Sequence, residues 1–120
     1  MSLLQEPALR HDVQVYDSEA FLVDRVARFL TEDSRASVIV IATPAHRAAF
    51  APRLPAQSVM LDAEEALATF MVDDAPDEAL FLHHVGSLVR QAARAGPVRA
   101  FGEMVAILAQ QGNFPAAALL

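Results

Sequence analysis

The chain reads as an α/β protein, a three-layer sandwich around a mostly parallel central sheet of about four or more strands. Three observations predict this. Stretches of strand character alternate with stretches of helix character along the whole chain. The second of these strands, Ser37–Ala42, is a continuous β-branched run, and capping residues stand at the strand-to-helix junctions. A parallel strand covered by helices on both faces has no solvent side, so it needs no polar alternation.

The first unit places a strand over His11–Tyr16, with Val13 and Val15 alternating with Gln14 and Tyr16. Asp17 or Ser18 then caps a helix running to about Leu30, whose stripe is Leu22, Val26 and Phe29 and whose Asp24 and Arg28 form a favourable pair four apart. In the second unit Thr43 is positioned to cap and Pro44 to open a helix, which Pro52 and Pro55 end near Ala51. The third unit is a strand over Ser58–Leu61. Asp62 with Glu65 after it resembles a capping box, which predicts a helix from Ala63 to about Val72 and a turn at Asp73–Pro76. Pro76, Asp77 and Glu78 start a long helix with Leu80, Phe81, His84, Leu88 and Ala92 on its inner side, stopped by Gly96 and Pro97. The fourth strand, Val98–Phe101, leads through Gly102 and Glu103 to a helix ending near Gln111, and Phe114–Leu120 can start another.

With 120 residues, the chain is one domain, residues 1–120. Hydrophobic residues make up 54% and charged residues 20%, which excludes a disordered tail. A net charge of −6 argues against sequence-independent nucleic-acid binding, so no direct nucleic-acid contact is expected. No cysteine is present, which removes disulfides and thiolate metal sites. Residues 1–10 lack the basic start and apolar core of a secretory signal, and apolar runs such as Val38–Ala42 are far short of a membrane span. A cytoplasmic protein without membrane contact is the expectation.

In open α/β sheets ligands lie beyond the carboxyl ends of the strands. Those ends carry Tyr16 and Asp17, then Thr43 with His46 and Arg47 a turn later, then Asp62, and then Glu103. Helix capping also explains Asp17, Thr43 and Asp62, and the helix dipole also favours Glu103 in a first turn. His11 enters the first strand at its other end, where a structural hydrogen bond suffices. An exposed helical face accounts for His46 and Arg47 as well as an anion site does. His83 and His84 are adjacent and diverge by about 100° on a helix, so no metal site is expected from them. Ser34, Ser58 and Ser87 lack a nucleophile-elbow context. A phosphate-binding loop would need glycines and a lysine at a strand-to-helix junction. Here the first glycine is Gly86 and all nine basic residues are arginine, so nucleotide hydrolysis has no support.

Four segments taken in order resemble the MEDS family: His11–Asp17, Val38–Arg47, Leu61–Leu67 and Val98–Met104. These are sensory domains named from methanogen and methylotroph signalling proteins and a dichloromethane-responsive repressor. The resemblance covers roughly Arg10 to Asn113, and it rests on the order of the four segments, since none is diagnostic alone. It implies a degenerate relative of the RecA/KaiC-type core without its phosphate loop (Walker A motif). It also implies a role in prokaryotic signal transduction or transcription regulation, beside a histidine kinase as in a two-component system, an anti-sigma-type kinase or a DNA-binding regulator. The ligands it implies are simple hydrocarbon derivatives. His11, Tyr16, Asp62 and Glu103 are the positions carried across, with Thr43, His46 and Arg47 beside them. The chain is shorter than expected of relatives between Arg53 and Ser58, and it stops at Leu120 where relatives continue through another helix. Both departures favour a homodimer, because an incomplete helical layer leaves apolar surface to cover.

Two functions compete. The first is a non-catalytic sensory domain that binds a small, weakly polar molecule and signals to a protein partner, with no cofactor or metal. The second is a ligand-free docking or dimerisation domain in a kinase or sigma-factor pathway. An enzyme built on Asp62 and Glu103 lacks a nucleophile or cofactor, and ATP binding without hydrolysis lacks the phosphate loop.

Overall fold

The β-branched run at Ser37–Ala42 is the centre of the molecule, buried from Val38 onward. The computed structural model describes residues 2–5, 10–13 and 18–113. Over these, strands β1 (Ser2–Gln5) and β2 (Arg10–Val13) precede helix α1 (Glu19–Thr31). Next come β3 (Ser37–Ala42), α2 (Pro44–Phe50), β4 (Val59–Asp62) and α3 (Ala63–Ala68). A hairpin of β5 (Met71–Val72) and β6 (Ala75–Pro76) leads to α4 (Glu78–Phe81), α5 (Ser87–Ala93), β7 (Val98–Gly102) and α6 (Met104–Gln110).

The fold is α/β, with a parallel sheet of three strands flanked by helices. β3 lies between β7 and β4 and pairs in parallel with both, Ile41 standing opposite Gly102 on one side and Leu61 on the other. Matched registers bring the carboxyl ends of the three strands level, so the residue after each strand emerges at one edge. β1 pairs antiparallel with β7, and β2 antiparallel with β1, His11 standing opposite Leu4. The strand expected over His11–Tyr16 is therefore represented by Arg10–Val13, with β1 between it and the parallel strands. Residues 14–17 lie outside the described residues.

Alternation along β3 distributes its side chains to two cores. Val38, Val40 and Ala42 pack with Leu22, Val26, Ala27 and Leu30 of α1, Phe50 of α2 and Phe101. Ile39 and Ile41 pack on the other face with Ala63, Leu67, Phe70, Met104, Ile107 and Leu108. Each large apolar side chain withdrawn from water in this way contributes about 1.5–3 kcal/mol. Arg99, opposite Val38, faces the α1 layer and is nonetheless buried. Its guanidinium donates to the Phe29 carbonyl at 2.7 Å and lies 4.9 Å from the Phe29 ring centroid, and Glu32 approaches within 3.6 Å. A cation is favourable there, near the carboxyl end of α1.

Two elements depart from expectation. Helix α3 stops at Ala68 instead of running to Val72, because Phe70 turns into the core and the chain folds back as a hairpin, Val72 pairing with Ala75. Asp73 and Asp74 form its turn with φ of 50° and 65°, a two-residue reversal that matches strand twist but carries no glycine to announce it. The long helix after Asp77 contains a π-helical turn at Leu82–Gly86. Wider winding there moves the inner stripe onto Val85 and Val89, beside Leu80, Phe81, Leu88 and Ala92, and leaves His84 exposed.

Left-handed backbone at a side-chain-bearing residue costs about 1–2 kcal/mol, less for aspartate than for most. Asp74→Gly should therefore raise the unfolding free energy by a few tenths to about 1 kcal/mol in urea denaturation. An unchanged or lower stability would show that the turn is not the one described.

Candidate functional site

β3 and β7 end side by side at Ala42 and Gly102, so Thr43 and Glu103 follow at the same edge. The Glu103 amide donates to the Ile41 carbonyl at 3.0 Å, and φ −106°, ψ 9° then turn the chain into α6. Its carboxylate is aimed back across the sheet edge and is only 4% exposed. Oε1 accepts from the Thr43 amide at 3.1 Å, and Oε2 lies 2.6 Å from His46 Nδ1.

Thr43 has the extended backbone of a cap, but its side chain makes no capping bond to α2. In a capping box, a glutamate at the third helical position reaches back to the amide of the capping residue. Here the third helical residue is His46, and Glu103 supplies that carboxylate from 60 residues further along the chain. The expected local cap at Thr43 is thus corrected to a tertiary one. Its physical source is the parallel pairing of β3 with β7.

His46 stands between two carboxylates. Its Nδ1 faces buried Glu103, and its Nε2 meets Glu19 in the first turn of α1, whose side chain is 78% exposed. Burial alone pushes the imidazole pKa down, but hydrogen bonds and charge from Glu19 and Glu103 outweigh it and raise the pKa. The Phe50 ring lies edge-on at 6.5 Å.

Arg47, the next residue on α2, turns towards β4 instead. It donates to Asp62 Oδ1 at 3.0 Å, while Asp62 Oδ2 accepts from the Glu65 amide at 3.0 Å and caps α3 as expected. Arg47 Nε is buried without a hydrogen-bond partner. α2 is therefore fastened to β7 by its third residue and to β4 by its fourth.

The structure brings together Thr43, His46, Arg47, Asp62 and Glu103. Tyr16 and Asp17 lie outside the described residues, as does the His11 side chain, whose backbone belongs to β2. Glu19 is the member of this cluster that sequence reasoning passed over. An acidic residue in a first turn is satisfied by the helix dipole, so only the position of α1 at this edge distinguishes it. His83 and His84 are exposed on the π-helical turn with ring centroids 4.8 Å apart. Among the described residues no group of three or more histidine or acidic side chains is placed to hold a metal. A shallow depression of about 330 Å³ is lined by Asp74, Gln111, Gly112 and Asn113, and so belongs to the hairpin turn rather than to this cluster. No helix among the described residues is long and apolar enough to cross a membrane.

A scan against protein-family models finds no match for the chain, and no curated protein or solved structure matches it.

The raised His46 pKa ties stability to pH. The folded protein holds this proton more tightly than the unfolded chain, whose value is the ordinary 6.5. The stabilisation is therefore fully present below that value and is lost as pH rises through the higher folded one. Melting temperature should fall over this alkaline limb in the native chain, and His46→Gln should flatten that part of the profile. A native profile that rises or stays level there would contradict the assignment.

Proposed function

We propose that the chain is a non-catalytic sensory domain of prokaryotic signal transduction, of the MEDS type. It binds a small, weakly polar molecule at the carboxyl edge of the parallel sheet and passes the signal to a protein partner. The single observation that carries this reading is the convergence of His46, Arg47, Asp62 and Glu103 where three parallel strands end. Open α/β sheets place ligands at this edge. Within the cluster the partners differ in how easily they can be displaced. Glu103 is buried and bonded to the Thr43 amide, whereas Glu19 reaches His46 Nε2 from solvent. An acceptor atom of a ligand can take the place of Glu19 on that ring nitrogen, with the hydrocarbon body of the ligand beside it.

A RecA/KaiC-type ancestry with a sheet of four or more mostly parallel strands belongs to the same proposal. In its support, the junction after β3 is Thr43-Pro44, without the glycines or lysine of a phosphate loop. The partner is a histidine kinase, an anti-sigma-type kinase or a DNA-binding regulator, and the setting is cytoplasmic.

A second reading, a ligand-free docking domain that forms a homodimer, is favoured by a different observation. β4 is the outer strand beside β3, and its Val59 and Leu61 are 36% and 37% exposed on the face where Ile39 and Ile41 are buried. Unprotected apolar edge strands invite pairing.

Native mass spectrometry of freshly purified protein, against its denatured mass, separates the two. Extra mass lost on denaturation, and lowered by Arg47→Ala, is the result expected of the sensor. A bare dimer that stays bare when incubated with short-chain alcohols and halocarbons would overturn it in favour of docking.

A further inference from the structure

The two ring nitrogens of His46 connect parts of the fold that differ in what they lose when a bond breaks. A charged imidazolium carries two N–H donors, one for each flanking carboxylate. A neutral imidazole carries one donor and one lone pair, and a lone pair cannot bond a carboxylate. One of the two contacts must therefore end when the ring loses its proton. Burial decides which. Glu103 is 4% exposed and would be left with an unpaired oxygen inside the protein, where desolvation is uncompensated. Glu19 is already solvated and loses little.

We infer that His46 is a proton-operated tie between α1 and the end of β7. Charged, it holds both Glu19 and Glu103; neutral, it keeps its proton on Nδ1 for Glu103 and releases Glu19 with the first turn of α1. At that end of α1 the Ser18 side chain accepts from the Phe21 amide at 3.1 Å, and the Leu22 amide donates to the Ser18 carbonyl at 3.0 Å. Further along, Leu22, Val26, Ala27 and Leu30 stay buried, so the release is confined to the first turn.

Among the described residues, the titratable groups around the ring are these. From α1 the ring faces Glu19, and from the junction of β7 with α6 it faces Glu103. On its own helix the neighbour is Arg47, whose charge is met by Asp62 of β4. Asp24, further along α1, is engaged by Arg28 and Arg53. The tie stands apart from the ligand reading, since it needs neither a bound molecule nor a partner.

Two measurements on the full chain test it. Nitrogen NMR of the His46 ring across about pH 5 to pH 9 should show the neutral form protonated at Nδ1. A neutral ring protonated at Nε2 would overturn the proposal, because Glu19 would then be the contact retained. Hydrogen exchange, corrected for the intrinsic rate, should show protection at Leu22 and Val23 falling about tenfold or more over the same range, with α6 unchanged. In His46→Gln that change should vanish. Equal protection at both ends in the native chain, or the same loss in His46→Gln, would refute a tie through His46.

Discussion

A single buried carboxylate holds the carboxyl edge of the parallel sheet together. Glu103 follows the last parallel strand, and its two oxygens bind the amide that precedes α2 and the ring that α2 carries at its third helical position. Without it, Thr43 would present an unpaired amide at a covered junction, and His46 would have no inner partner. The hydrophobic cores on the two faces of β3 make the sandwich stable, but they do not specify how α2 is set against the strand ends. Glu103 does, with Arg47 and Asp62 fixing the other side of the same helix.

That carboxylate also bears on chemistry. A helix opening directly from a central parallel strand is where nucleotide-binding proteins hold phosphate on bare backbone amides. In this chain the amide at that junction is already taken by an internal anion, and further carboxylates stand nearby at Glu19 and Asp62. A phosphate placed there would meet like charge in a poorly solvated setting. An internal anion at this position acts as a structural fastening. It leaves the outward nitrogen of His46 as the adaptable contact.

Much of the architecture was legible because the determinants are local. The β-branched run at Ser37–Ala42, the cap at Asp62, Pro44 opening α2 and Gly96 with Pro97 after α5 each act within a few residues, and they place β3, β4, β7 and the helices between them. The failures are equally physical. The Asp73–Asp74 turn uses left-handed backbone without glycine, so nothing separated it from a helix end. The π-helical turn at Leu82–Gly86 moved the inner stripe off His84, which no stripe drawn at regular helical spacing could foresee. In the site, residue types and strand ends were readable: the Thr43 amide and His46 meet Glu103, and Arg47 meets Asp62 beside them. The pairing of Glu103 with Thr43 and His46 depends on the parallel register of strands about sixty residues apart, and Glu19 enters only through the placement of α1.

The most direct test of Glu103 as the fastening is a double-mutant cycle with His46, read by urea denaturation. Glu103→Ala should cost about 3 kcal/mol or more, because it strands buried partners. Glu103→Gln, which can still accept from the Thr43 amide, should cost about 1–2 kcal/mol. Combination with His46→Ala should fall short of additivity by about 1 kcal/mol or more, as expected of groups in direct contact. A Glu103→Ala protein within about 0.5 kcal/mol of the native chain, with effects that simply add, would mean that the strand-end edge is held by something else.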